Sequence, residues 1–528
     1  MTTPPTSRPP TPGPPPLPDA RPAGYHRVAV PTTAATLLGH AGTLQARGFR
    51  LALVAAHHDH DGLRAVYLYT APSPDRRVEL HLPIDRDRPT TPTLAGLSFP
   101  AGRFEREMHD LYGITPVDHP LPHRLVRHWH WPSGWYPMRH DAGPPPAFGD
   151  TDGPFPFLTV EGPGVYEIPV GPVHAGLIEP GHFRFSVVGE TILKLKARLW
   201  YVHKGIEKLF QDRDLPDGLP LAERISGDTA VGHALAYCRA VEDALHLQIP
   251  VEARRMRAVL LELERLYNHI GDIGALCNDV GHSVLNAHAL RIKETLLRLN
   301  KDTTGHRLLR GGILPGGAAL RQVPDPDQLA AIGADIREIL ALALGNSLVA
   351  ERFTGTAVLT TGQARDLGTL GYVARASGVS VDARRDHPTG VLTDDGLHLS
   401  DLLTVPTHTG GDVLARFQQR AAEIDASLAV LDTLVRTVTP GTITNWPTLD
   451  RTPCAGPVTS GVGIVEGWRG TIVHRVEIGP DQRLTRVKVV DPSFFNWPAL
   501  PVALAGTIVP DFPLANKSFN LSYAGNDL

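Results

Sequence analysis

The sequence predicts an α+β fold, with a small N-terminal α/β domain followed by a large, mainly helical domain that has strands at both ends. Apolar runs at 49–57 and 63–70 are bounded by turn residues, which is typical of strands. Residues 250–277 instead repeat apolar side chains every three or four positions, which is typical of a helix with one buried face. The 528 residues are enough for more than one domain and at least one large core.

Changes in composition divide the chain into four segments. Residues 1–24 are dominated by proline and predict a disordered tail, with partner binding as the alternative. Residues 25–140 form the small domain. Residues 141–164 repeat glycine, proline and aspartate and predict a linker. Residues 165–528 form the large helical domain.

The small domain alternates strand and helix patterns. A helix is predicted over 33–47, where a threonine can cap its start and a glycine follows its end. Strands are predicted over 49–57, 63–70 and 78–82, and a second helix over 104–111. This order indicates a sheet covered by helices.

The large domain opens with strands and then becomes helical. The strands are predicted over 165–170 and 183–188. Long helices are predicted over 250–277 and 329–353, and another that begins after the N-cap Asp412. These lengths indicate a helical bundle.

Composition excludes several classes of function. The formal charge of −4 gives no reason to expect nucleic-acid binding. The three cysteines, Cys238, Cys277 and Cys454, cannot supply four thiolates to a cluster, and so few cysteines fit a reducing cytoplasm. No apolar run of about 20 residues predicts a membrane span, and no signal peptide is evident. Membrane association therefore requires partner subunits.

Two segments resemble the 30-kDa subunit of respiratory complex I. Residues 104–125 contain Glu-Arg-Glu, then Asp-Leu-Tyr-Gly-Ile, then His-Pro and Arg-Leu. Residues 131–141 match the segment that follows in that subunit. The resemblance implies a 30-kDa-like domain over 25–140.

The next motifs resemble the 49-kDa subunit of complex I and the large subunit of group 4, formate hydrogenlyase-type nickel–iron hydrogenases. They are Gly-Pro-Val-His174-Ala-Gly, Glu179-Pro-Gly-His182 and the run 201–209. The order of the two domains also matches fused complex I subunits. The resemblance covers about residues 25–528 and implies that 165–528 has this large-subunit fold.

Two further segments resemble the metal-binding motifs of nickel–iron hydrogenases with every cysteine replaced. They are 224–233, Arg-Ile-Ser-Gly-Asp-Thr-Ala-Val-Gly-His, and 520–525, Asn-Leu-Ser-Tyr-Ala-Gly. Hydroxyls of ordinary pKa are poor ligands for a thiolate-selected metal, and glycine offers no ligand. We therefore expect no metal at the four degenerate positions, which are Ser226, Thr229, Ser522 and Gly525. The motif-like Asp491-Pro-Ser493 is set aside because the metal segment of the family lies at the C-terminus.

The resemblance also implies catalytic candidates. His174 matches a histidine of the quinone pocket of complex I and can hold a quinone oxygen or relay a proton; the alternative is a half-buried turn histidine. Glu179 matches a glutamate near the nickel of hydrogenases that serves proton transfer or a secondary metal site; the alternative is an ion pair with Arg184. The tyrosine that binds the quinone headgroup in complex I is absent, since its nearest position is Gly227, and Tyr237 is expected to be a core aromatic.

Other polar groups have two interpretations each. Arg224 and His233 flank the vanished ligands and either line a polar cavity or remain as scaffold. The histidines between 119 and 130, with 128–130 predicted as a strand, and the His203–Lys208 stretch invite a metal interpretation. A subunit-contact strand and a solvated or interface helix face, respectively, are favoured.

The resemblance implies a subunit of a membrane-associated, complex I-like or hydrogenlyase-like oxidoreductase. It would pass electrons from an iron–sulfur partner to a quinone or another small acceptor without a nickel–iron centre. The alternatives are a non-catalytic scaffold and, against the missing thiolates, an active hydrogenase. We expect no cofactor on this chain. The expected partners are an iron–sulfur small subunit that holds the cluster, a ferredoxin-like subunit and antiporter-like membrane subunits, with the chain on the cytoplasmic face of the cell membrane.

Overall fold

The computed structural model describes residues 17–72, 74–149, 155–176, 178–388, 403–447 and 458–528. The architecture is α+β, and the prediction of a small N-terminal domain followed by a large helical domain is confirmed. Most of the predicted tail lies outside the described residues. Its last part, Arg21–Gly24, does not continue the tail but forms a strand, because it pairs with Arg27–Pro31.

The small domain is a five-stranded sheet with helices packed on it. The sheet order is β1-β2-β5-β4-β3, in which β2 and β5 are parallel and the other pairs antiparallel. The first helix begins after Thr33 as predicted, with a capping box. The elements are β1 (Arg21–Gly24), β2 (Arg27–Pro31), α1 (Ala34–Ala46), β3 (Arg50–His58), β4 (Leu63–Ala71), β5 (Arg76–Ile84), β6 (Thr90–Pro92), α2 (Phe99–Tyr112) and β7 (Thr115–Val117).

The strands of the large domain form three small antiparallel sheets. The first follows the predicted linker, the second is made of short strands beside the bundle, and the third lies between the bundle and the small domain. Their elements are β8 (Val165–Val170), β9 (His182–Val188), β10 (Thr191–Arg198), β11 (Ile313–Leu314), β12 (Gly317–Leu320), β13 (Gly441–Thr444), β14 (Thr459–Gly467), β15 (Gly470–Ile478) and β16 (Leu484–Val490).

The helical bundle is built on three long helices, of which two were predicted within a few residues. The helices are α3 (Ile206–Leu209), α4 (Leu215–Ala222), α5 (Ala230–Ala244), α6 (Val251–Asp279), α7 (Ser283–Thr304), α8 (Pro326–Leu344), α9 (Ser347–Phe353), α10 (Thr361–Asp366), α11 (Gly371–Arg375), α12 (Ala383–Asp386), α13 (Val413–Val435), α14 (Pro492–Asn496), α15 (Ala499–Ala503), α16 (Phe512–Phe519) and α17 (Tyr523–Asn526). A 3₁₀ turn covers Val509–Asp511.

The single helix predicted over 329–353 is wrong. The structure has two helices there, because Asn346 caps a new start: its side chain accepts hydrogen bonds from the backbone N–H groups of Leu348 and Val349. Tyr237 is a core aromatic as predicted, fully buried, with its hydroxyl donating to Leu215 O at 2.6 Å. No helix among the described residues has the length and apolarity that crossing a bilayer requires.

Buried ion pairs join the small domain to β15. Glu79 lies 2.9 Å from Arg27 and 2.9 Å from Arg475, and all three side chains are buried. Burial acts to raise the pKa of Glu79, but the two guanidinium groups outweigh it and hold the pKa well below its ordinary value. This contact fixes the β14–β15 hairpin, which carries part of the site described next.

Candidate functional site

The two degenerate motifs meet in space. Ser226 follows α4, Ser522 caps the start of α17, and their Oγ atoms lie 2.9 Å apart in a buried setting. The Gly525 backbone N–H donates to Ser522 Oγ, and Ser226 Oγ–H donates to Asp228 Oδ1. Since Ser226 uses its proton on Asp228, Ser522 donates to Ser226. The hydrogen bonds therefore run in one direction and end on a carboxylate.

Asp228 is held by an arginine from the β14–β15 turn. Arg469 places its two terminal nitrogens 2.7 Å from the two oxygens of the Asp228 carboxylate. Burial acts to raise the pKa of Asp228, but Arg469 and the neighbouring hydroxyls outweigh it and lower the pKa to about 2. The carboxylate is thus an anion at neutral pH.

Thr229 belongs to the same cluster. Its Oγ1 donates to Asp228 at 3.0 Å and accepts from Trp468 Nε1 at 3.1 Å and from Arg469 at 3.3 Å. We call Ser226, Asp228, Thr229, Ser522 and Arg469 the Asp228 cluster. Its hydroxyls are protonated and engaged, so this donor set does not match the four thiolates that hold nickel.

The fourth degenerate position lies against Asp491. A Cβ on Gly525 would lie 2.6 Å from Asp491 Cγ, closer than real Cβ contacts allow. Asp491 is fixed because Oδ1 accepts from Ser493 N–H at 2.7 Å and Oδ2 lies 3.0 Å from His233 Nε2. Ser493 Oγ also accepts from Ser522 N–H at 3.0 Å. The Asp-Pro-Ser segment that the sequence analysis set aside is therefore part of the site.

His233 and Arg224 flank the first degenerate motif in sequence, but their side chains lie in different surroundings. His233 is fully buried behind Asp491, and its Nδ1 lies 3.1 Å from His474 Nε2. Burial is the main cause that lowers the pKa of His474 well below its ordinary value, and the neighbouring His233 lowers it further. Arg224 is exposed and donates to Pro220 O. Neither side chain lies in the wall of the 730 Å³ cleft that opens beside the Asp228 cluster.

His174 lies in the loop between β8 and β9. Its Nε2 is 2.8 Å from Gly181 O. Because a carbonyl only accepts, Nε2 carries the ring proton and the neutral ring keeps Nδ1 as an acceptor. The ring is half-buried. It can receive a proton at Nδ1 and can donate from Nδ1 after doing so.

Glu179 links this loop to the C-terminal segment. Its Oε2 accepts a hydrogen bond from the Ala524 backbone N–H at 3.1 Å. The alternative of an ion pair with Arg184 is wrong, since Arg184 instead lies 3.6 Å from Glu167. Glu179 therefore lies one hydrogen bond from the helix that Ser522 caps.

The other polar candidates have structural partners. Of the favoured solvated or interface helix face, the solvated alternative is wrong at Glu207, which is buried between Arg486 at 2.8 Å and Lys488 at 3.1 Å. His203 Nδ1 lies 2.9 Å from Asp527 Oδ1. Both residues are thus held by contacts within this chain.

The histidine run does not form a strand. Residues 128–130 lie in turns, and His128 Nε2 donates to Trp200 O at 2.8 Å. In the part of the chain that the structure describes, one group has the spacing of metal ligands, and it contains none of the four histidines between 119 and 130. Its members are His57, Asp59 and Glu477.

Asp228, Arg469, Asp491 and His474 are the site residues that the sequence analysis missed, although Asp228 lies inside the first degenerate motif. Arg469 had a local signal, because Trp-Arg-Gly interrupts two apolar runs and marks a turn between strands. Asp491 had one in the Asp-Pro-Ser segment that was set aside, whereas His474 had none, since 241 residues separate it from His233.

Comparison with known proteins assigns the family. Family models match residues 30–146 (respiratory-chain NADH dehydrogenase, 30-kDa subunit), 204–273 (nickel-dependent hydrogenase) and 279–451 (respiratory-chain NADH dehydrogenase, 49-kDa subunit). Formate hydrogenlyase subunit 5 of Escherichia coli K12 is 31% identical over 466 residues, which cover 85% of this chain and 79% of that protein. The chain belongs to the family of hydrogenlyase and complex I large subunits.

Other members of the family show similar coverage. Hydrogenase-4 component G of Escherichia coli K12 is 32% identical, over 80% of this chain and 73% of its own length. The fused C/D protein of NADH-quinone oxidoreductase from Bacteroides thetaiotaomicron is 28% identical, over 72% of this chain and 75% of its own length. A chain of the membrane-bound sulfane sulfur reductase, an archaeal respiratory membrane complex, superposes with a TM-score of 0.63 at 23% identity, covering 69% of this chain and 99% of that one. That likeness shows the shared fold.

The hydrogen bond between the two motifs should contribute to stability. Ser226→Ala leaves the buried Ser522 hydroxyl without an acceptor, and we expect a loss of about 1–3 kcal/mol in the free energy of unfolding. Urea unfolding followed by circular dichroism measures it. Ser347→Ala, at an exposed serine of α9, is the matched control and should change nothing. Equal losses in both variants would mean that the link has no special role.

Proposed function

We propose that this chain is the large subunit of a complex I-like or hydrogenlyase-like oxidoreductase that works without a nickel–iron centre. It receives electrons from a cluster in an iron–sulfur small subunit and delivers them to a quinone or another small acceptor. A ferredoxin-like subunit and antiporter-like membrane subunits complete the assembly, which holds the chain on the cytoplasmic face of the membrane. Family membership and the names of the relatives support this proposal.

The Asp228 cluster is the observation that supports the proposed absence of a nickel–iron centre. Of the four degenerate positions, three carry hydroxyls and the fourth is a glycine, and each hydroxyl makes hydrogen bonds to protein groups. Arg469 adds a positive charge within hydrogen-bond distance of Asp228 and of the degenerate position Thr229. The residues present favour hydrogen-bonded closure of the site over metal ligation.

The acceptor site of this proposal is the β8–β9 loop with His174 and Glu179. His174 would transfer a proton through Nδ1 to the acceptor oxygen, since its Nε2 is engaged with Gly181 O. Glu179 would help to position the loop through its bond to Ala524. A neutral histidine has no second donor, so bonding to a developing anion is coupled to proton uptake.

A non-catalytic scaffold is the second candidate. The observation in its favour is the internal closure of the former metal site, in which Asp491 lies against Gly525 and Arg469 neutralises Asp228. A subunit of this kind would keep its fold and contacts without transferring electrons itself. The substitution of His174 argued in the Discussion separates the two candidates.

We expect the purified complex to contain far less than one nickel atom per chain and to evolve no hydrogen. The reason is the donor set of the Asp228 cluster. Elemental analysis by mass spectrometry measures the metal, and a hydrogenlyase large subunit with all four cysteines, prepared alongside, is the control. A nickel-to-chain ratio near one would overturn this part of the proposal.

A further inference from the structure

A solvent-open cleft of about 730 Å³ lies between α6 and α7, beside the Asp228 cluster. One wall is a face of α7, where Lys293, Leu297 and Lys301 recur every fourth residue and so lie along one side of the helix. The opposite wall is α6, with Tyr267 and Asn268. The cleft shares no residue with the loop that carries His174.

The acidic side chains in the wall of the cleft form ion pairs with arginines that do not line the cleft. Asp228 pairs with Arg469 at 2.7 Å, and Asp272 pairs with Arg420 at 2.9 Å. Asp272 also accepts from the side-chain amide of Asn520. These carboxylates are therefore not available to balance cations in the cleft.

The arginine of the wall is also neutralised, whereas the two lysines are not. Arg307 pairs with Glu294 at 2.6 Å. Lys293 and Lys301 form no ion pair within the residues that the structure describes. The Lys293 ammonium is packed on α6, 3.0 Å from the point that a Cβ on Gly271 would occupy. Two positive charges are thus left over in the cleft.

His306 adds a neutral donor to the same wall. Its Nδ1 accepts from the Leu308 N–H at 3.1 Å, so the proton of the neutral ring is on Nε2. Burial is the main cause that lowers the pKa of His306. The positive charges of Arg310 and Arg224 lower it further, and the negative charge of Glu223 acts to raise it. The ring is therefore neutral at physiological pH, and Nε2–H can donate to an anion.

We propose that this cleft binds a small oxyanion, most simply a carboxylate, with Lys293 and Lys301 as its charge partners. A carboxylate meets both requirements of the wall, since it balances the unpaired ammonium groups and accepts from neutral donors. The leucine between the lysines provides a short apolar floor for the carbon end of such a ligand. Binding needs no electron transfer, so the inference stands or falls independently of the role of His174.

The test is calorimetric titration of the full-length chain with acetate, at ionic strength held constant with chloride. Acetamide has the same shape without the charge and should not bind. Lys293→Ala/Lys301→Ala should weaken acetate binding about tenfold, through the loss of two charge-assisted contacts. Lys194→Ala removes one exposed lysine of β10 outside the cleft and should leave the affinity unchanged.

Phosphate in the same titration distinguishes a planar from a tetrahedral oxyanion. Lysine-dependent binding of either anion supports the site. Failure of both anions to bind, equal affinity in the double variant, or equal binding of acetamide would overturn it. Lys301→Glu, at an exposed helix position that tolerates substitution, keeps the test valid if the double variant folds poorly. It changes the charge of the cleft by the same two units as the double variant and should also weaken acetate binding about tenfold.

Discussion

Replacing Asp491 with alanine should lower the free energy of unfolding by about 2–6 kcal/mol, the largest stability effect expected at the site. Asp491 is fully buried, and it accepts from Ser493 N–H and bonds His233 Nε2. The substitution leaves two buried donors unsatisfied, at about 1–3 kcal/mol each: His233 Nε2–H and the Ser493 N–H that Asp491 caps at the start of α14. Urea unfolding at neutral pH measures the loss. Asp432→Ala, at an exposed aspartate of α13, is the control and should cost under about 0.5 kcal/mol.

The pH dependence of stability distinguishes the contribution of the Asp491 charge from that of its side-chain shape. Burial acts to raise the pKa of Asp491, but His233 and Arg469 outweigh it and lower the pKa below 3.8. A carboxyl group whose pKa is lowered on folding stabilises the fold at pH values above its unfolded-state pKa. That contribution is lost as the pH falls through the folded-state pKa. The difference in free energy of unfolding between wild type and Asp491→Asn should therefore decrease below about pH 4. A gap that stayed constant with pH would contradict the ionised state.

The sequence predicted two of the three long helices and missed the third, Ser283–Thr304. The helices Val251–Asp279 and Val413–Val435 were predicted correctly. Apolar residues that recur every three or four positions over many turns indicate a helix and no other element. The predicted helix 329–353 failed because Asn346 offers the backbone a cap that periodicity does not register. The predicted strand at 128–130 failed because two alternating residues are too short a pattern to outweigh tertiary contacts.

The site was predictable only where it lies in motifs. The motifs placed Ser226 and Ser522 in one site, although 296 residues separate them. The residues that close the site, Arg469 and Asp491, act through contacts with segments more than 200 residues away. Such contacts follow from packing, which no local spacing encodes. This is why the sequence pointed to the degenerate motif positions but not to the residues that pack around them.

Replacing His174 with alanine should slow reduction of the acceptor about 10- to 100-fold if electrons reach it in the β8–β9 loop. A hydrogen bond to a charged oxygen is worth about 1.5–3 kcal/mol, and each ~1.4 kcal/mol changes a rate tenfold. The rate is measured as quinone reduction by the intact complex with its cluster reduced. His288→Ala, at an exposed histidine of α7, is the matched control and should keep the wild-type rate.

The same substitution also removes the bond from His174 Nε2 to Gly181 O, so the loop must be shown to stay in place. A Glu179→Gln variant keeps an oxygen acceptor for Ala524 but removes the carboxylate charge, so an unchanged rate would show that Glu179 acts only by positioning the loop. Loss of a proton donor lowers kcat, whereas displacement of the loop raises KM first. Equal rates for wild type and His174→Ala in an assembled complex would remove this acceptor site. The scaffold would then be the better account, because a closed Asp228 cluster needs no electron transfer to keep its structure.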